Sequence, residues 1–142
     1  MTQERSNRDV IINKIAIIER CIKRIEDVYE NNPANLQDFT KQDSIILNIQ
    51  RACEASIDIA MHVAATSKLG IPQSSREAFE LLQTNGKISL QVAQNLRGMV
   101  GFRNIAVHDY QKLNTSILQK IVEKHLNDFI IFKQEILKEV KK

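Results

Sequence analysis

Three side chains able to do chemistry crowd into one stretch of an otherwise plain helical sequence: GFRNIAVHDYQ, residues 101 to 111, holds Arg103, His108 and Tyr110 within eight positions. Arginine offers a permanent planar cation whose fork matches phosphate oxygens. Histidine titrates near neutral pH and moves protons. Working together without a metal, the two suit a phosphodiester. RNA brings its own nucleophile, the 2′-hydroxyl, so a protein need only deprotonate it, protonate the leaving oxygen and stabilise the charge that builds on the phosphate.

Helix geometry complicates that scheme. At about 100° per residue, Arg103 and His108 lie roughly 140° apart, while Arg103 and Tyr110 return to nearly one face about 10 Å apart. A regular helix therefore does not aim the arginine and the histidine at one small ligand. Either the backbone loosens near His108, where DYQKLNTS is polar, or a second chain completes the site. The chemistry wants both an acid and a base, and the stretch supplies one histidine. A two-fold dimer brings the same patch together with itself, so a homodimer with a composite Arg/His site is expected.

The elements that must carry this stretch are all helical. From Arg8 to Glu30 the apolar residues Ile11, Ile15, Ile18, Ile22 and Ile25 recur at helical spacing, and NNPAN stops the run. A second helix opens near Thr40, with Thr40 as its cap, and ends at Lys68-Leu69-Gly70. Its small residues, Ala52, Ser56, Ala60 and Ala64 among them, let a neighbouring helix approach closely, inside the bundle or across a subunit interface. Ser74 with Glu77 has capping-box spacing and starts a short helix that ends at Asn85-Gly86. Ser89 caps a fourth helix that enters the motif with Gly98 and Gly101 inside it. Asn114 or Thr115 caps the last. No strand pattern or internal repeat is visible, so the expected fold is all-α, an antiparallel bundle of four to five helices in a single domain over residues 1–142.

Composition agrees. The chain has 142 residues, 43% hydrophobic and 26% charged, and a net charge of +3, which excludes a strongly basic tail but is compatible with a polyanionic partner. Cys21 and Cys53 lie in apolar helical patterns without a metal-type cluster and read as reduced, buried small hydrophobes. The opening MTQERSNRDV lacks the apolar run of a secretory leader, and no segment approaches the roughly 20 apolar residues of a membrane span. A cytoplasmic protein with no membrane contact is expected.

The order Arg103, Asn104, three apolar residues, His108, one residue, Tyr110 resembles the Arg-x4-His-x-Tyr motif of the HepT toxins in the HEPN superfamily. GMVGFRN before it, RACEASIDIAMHV in the second helix and the motif's place ahead of the last helix are similar too. The resemblance implies a HEPN-like fold and a metal-independent RNA endonuclease, without cofactor, of the HepT/MntA type toxin–antitoxin system. Carried onto this chain, it makes Arg103 and His108 the catalytic pair and Asn104 a supporting polar residue. It makes Tyr110 the residue that an MntA-like nucleotidyltransferase antitoxin modifies with AMP. The partners implied are RNA, that antitoxin and a second copy of the chain. The alternative is a non-catalytic helical module that partners a minimal nucleotidyltransferase.

Other polar residues read more simply. Glu54, Asp58 and His62 form a polar stripe on the second helix. His125 is an ordinary surface or half-buried histidine, Tyr29 a packing residue at a helix end, and Lys87, Arg97, Lys112 and Lys120 read first as solvated charges and second as the lining of an RNA path near the motif.

Overall fold

The structure, a computed structural model, describes residues 2–109 and 113–140. Its elements are α1 (Thr2–Tyr29), a 3₁₀ turn (Pro33–Gln37), α2 (Phe39–Thr66), α3 (Ser75–Thr84), α4 (Leu90–His108), α5 (Thr115–Lys120), a π turn (Ile121–His125) and α6 (Leu126–Val140). Among the described residues there is no strand, and no helix is long and apolar enough to cross a membrane.

The isoleucine stripe of α1 is the buried face of a two-helix antiparallel layer with α2. Ile11, Ile15, Ile18, Ile22 and Ile25 meet Ile45, Ile49 and Ile59 in one continuous core that reaches every long helix. Across the layer's surface Lys14 Nζ bonds Asp58 Oδ2 at 2.9 Å. The helix stops where Glu30 and Asn31 take positive φ, 53° and 54°, and Asn32 then accepts from the Ala34 N–H to start the 3₁₀ turn at Pro33.

That turn moves the start of α2. The cap is Asp38, not Thr40: the turn leaves Asp38 extended, its carboxylate accepts the Lys41 N–H at 3.0 Å, and Thr40 falls inside the first turn. A carboxylate there also complements the positive end of the helix dipole. Ser74, Ser89 and Asn114 cap α3, α4 and α5 as their spacing predicts, accepting from the N–H groups of Glu77, Val92 and Ile117. The small residues of α2 turn inward, for Ala52, Ser56, Ala60 and Ala64 are all fully buried within the bundle. Close approach there lets Cys53 Sγ reach the Met99 carbonyl of α4 at 3.5 Å.

Phe79 of α3 and Phe132 of α6 pack edge to face, ring centroids 5.8 Å apart, and close the other end of the core. The expected single last helix is interrupted instead. α5 and α6 are joined by the π turn, whose extra residue per turn shifts the register of everything after Lys120.

Candidate active site

α4 stays helical through His108, and only then does Asp109 leave helical geometry as a cap whose N–H returns to the Ile105 carbonyl at 2.8 Å. The loosened-backbone route to bringing Arg103 and His108 together is therefore closed as far as His108. No hydrogen bond joins the two side chains. His108 is exposed at the end of the helix, while Arg103 is half-buried, with Nη2 donating to Ser75 Oγ of α3 at 3.3 Å. Its Nε is buried with no protein partner. A guanidinium has five donors, and among the described residues only Nη2 is engaged.

Arg103 also projects charge inward. Burial pushes the Cys53 thiol well above its ordinary range, and the positive field of Arg103 works against that shift. The thiol is thus held neutral behind the site. Asn104 is half-buried and lines a cleft between α4 and α5 that also takes in Ile105. Tyr110 and Lys112 lie outside the described residues.

Two groups near the motif were not singled out in the sequence. Arg76, next to Ser75, lays its guanidinium on the α4 backbone: a Cβ built at Gly101 would sit 3.2 Å from Arg76 Nη2. His125, read as an unremarkable histidine, is half-buried and has its Nδ1 3.0 Å from Asp128 Oδ2. The first rests on helix-to-helix register, which spacing along one chain does not give; the second is an i,i+3 pair, whose spacing was there to be read.

The remaining polar residues are structural where contacts define them. Glu54 accepts from Gln50 and Asp58 pairs with Lys14, so their stripe is an outward polar face, although His62 Nε2 is buried without a partner. Lys87 pairs with Glu139 and Arg97 with Glu80, both at 3.4 Å. Tyr29 packs at the end of α1 as expected and, beyond that, donates its hydroxyl to Glu123. Among the described residues no three His, Cys, Asp or Glu side chains gather in a metal-binding arrangement.

The chain as a whole is similar to known proteins. The model of the family described as ribonuclease HepT-like matches residues 18–136. The chain is 59% identical over 121 residues to the mRNA nuclease HepT of Shewanella oneidensis strain MR-1, covering 85% of this chain and 91% of that protein. It superposes on the tri-AMPylated Shewanella oneidensis HEPN toxin in complex with its MNT antitoxin with a TM-score of 0.88, at 56% identity, over 92% of this chain and 98% of that one. A toxin–antitoxin structure with AMP-PNP gives the same TM-score of 0.88 at 55% identity and the same coverage, 92% and 98%.

Proposed function

The chain belongs to the ribonuclease HepT-like family, and from that premise we infer that it is an RNA endonuclease, the toxin of a HepT/MntA type toxin–antitoxin pair. The observation that carries this reading is its 59% identity to an mRNA nuclease across nearly the whole of both chains.

In our mechanism Arg103 grips the scissile phosphate and steadies the charge that develops on it, while His108 moves the proton between the 2′-hydroxyl and the leaving oxygen. Because the two side chains diverge along an unbroken helix, the arginine of one chain works with the histidine of a second. Apolar Val107, 47% exposed, adjoins His108 and supports self-association of this end of α4. Asn104 orients the phosphate. The reaction uses no metal or other cofactor, and the protein acts in the cytoplasm, where its substrate is. We also read residues 1–142 as one domain, supported by the core shared among the long helices.

The antitoxin is a minimal nucleotidyltransferase that adds AMP to Tyr110. The homologous toxin is AMPylated three times in the complex solved with its antitoxin. Phosphates attached next to the motif satisfy Arg103 and exclude RNA by charge and bulk.

The purified chain is expected to cut single-stranded RNA in the presence of EDTA, and co-expression with the antitoxin to add AMP-sized mass increments that vanish in Tyr110→Phe. Binding of RNA without cutting would instead favour a non-catalytic module, and cleavage that survives both Arg103→Ala and His108→Ala would refute the site.

A further inference from the structure

One concavity beside the motif is lined by neither Arg103 nor His108. It is the cleft of about 780 Å³ between α4 and α5, and its chemistry is distinctive. Phe102, Ile105, Ile117 and Ile121 supply an apolar floor. Arg76 and Lys120 supply positive charge, and neither forms an ion pair with a carboxylate among the described residues. No Asp or Glu lines the cleft. An apolar floor with an unneutralised cationic rim suits an anion with a flat, largely apolar body, and the volume is that of a small-ligand pocket.

The third polar feature is built rather than incidental. Asp128, only 8% exposed, accepts from Asn95 Nδ2 at 3.2 Å and meets His125 Nδ1 at 3.0 Å. A buried carboxylate is costly unless fully satisfied, and this one is held from α4 while it holds the ring at the end of the π turn. With Nδ1 engaged, the other edge of the His125 ring is left to the cleft that the residue lines.

We propose that this cleft is a nucleotide subsite for the RNA strand, a reading that rests on the ribonuclease assignment above. The base lies on the apolar floor, a phosphate beside the scissile one engages Arg76 and Lys120, and His125, positioned by Asp128, hydrogen-bonds the base or ribose edge. Asn104 lines the same cleft and adjoins Arg103 in sequence, so a strand can pass from the subsite to the reacting phosphate. A second copy of the chain is the weaker occupant, because a self-complementary contact through this cleft brings its unneutralised cations together.

The test uses the full chain and a fluorescein-labelled 2′-O-methyl oligonucleotide, which lacks the free hydroxyl and so is bound without being cut. The double variant Arg76→Glu/Lys120→Glu should weaken binding and flatten its salt dependence, by about 0.7 in the log–log slope for each phosphate that the protein no longer neutralises. The control Lys68→Glu/Lys138→Glu, which makes the same charge change on residues outside the cleft, should show much the smaller effect. His125→Ala and Asp128→Asn should both alter base preference when natural RNA is cleaved, with thermal melts showing the folded state intact. Equal losses in the double variant and the control overturn the proposal. So does a double variant that changes the oligomer's mass by sedimentation yet binds the probe like wild type, which would make the cleft an interface between copies. A chain that binds the probe through the cleft but never cuts RNA leaves the subsite standing and removes the ribonuclease reading instead.

Discussion

Arg103 of α4 is tied across the bundle to Ser75 in the first turn of α3, with Nη2 donating to Oγ at 3.3 Å. The contact aims a guanidinium whose Nε is already buried, and it links two segments that nothing in the sequence pairs. Ser75→Ala should leave the fold unchanged and lower kcat/KM for RNA by roughly tenfold, the equivalent of about 1.4 kcal/mol for removal of a hydrogen bond to a charged group. Ser75→Thr, which keeps the hydroxyl, should restore most of it. Unchanged kcat/KM in Ser75→Ala would show that the serine does not position Arg103.

His108 is exposed, so its removal is a clean probe of chemistry. His108→Ala should cut ribonuclease activity by about 10²- to 10⁴-fold, the usual contribution of a general acid or base, while the melting temperature stays within a degree or two of wild type. Mixing inactive Arg103→Ala with inactive His108→Ala checks the composite site. Mixed dimers with one intact Arg/His pair should regain part of the activity, and no recovery after subunit exchange would argue for a site within one chain.

Gly98 and Gly101 lie on the face of α4 that lines the cleft, but their surroundings differ. Nothing lies within 4 Å of a Cβ at Gly98, whereas one at Gly101 meets Arg76 Nη2 at 3.2 Å. Gly98→Ala should stabilise the chain by about 0.5–1 kcal/mol through helix propensity alone. Gly101→Ala should melt no lower than wild type, because the end of a flexible side chain yields easily, but it should weaken RNA binding by displacing Arg76. Weaker binding in Gly98→Ala instead would mean that the glycine's small size serves the ligand.

Burial, reinforced by the hydrogen bond to and the charge of Glu123, pushes the Tyr29 hydroxyl up to about 12 from an ordinary 10.0. A raised value means the folded state holds this proton more tightly than the unfolded chain. The associated stability is complete below pH 10.0 and is lost as pH climbs toward about 12. Wild type should therefore lose stability steeply across that window in denaturant titrations, and Tyr29→Phe should flatten the slope. Parallel curves for the two proteins would remove Tyr29 as its cause.

The fold was largely legible because its signals are local. Isoleucines at helical spacing, Pro33 and the capping residues Ser74, Ser89 and Asn114 each act within a turn or two of themselves. Where a signal was missed, a neighbouring turn had changed it. The 3₁₀ turn supplied Asp38 as a cap in place of Thr40, and the π turn divided a helix whose apolar pattern runs on unbroken.

The motif followed the same division. Residue type and spacing, by themselves, determined that Arg103 and His108 diverge on a helix, since helical rotation is a property of the backbone alone. Only the tertiary structure decided what surrounds them. The hydroxyl of Ser75 at Arg103, the guanidinium of Arg76 on Gly101 and the Asn95 amide on Asp128 all depend on how α3, α4 and α6 sit against one another. That arrangement is set by the interlocking of Phe79, Phe132 and the rest of one close-packed core, a property of the whole chain that no short stretch of sequence encodes.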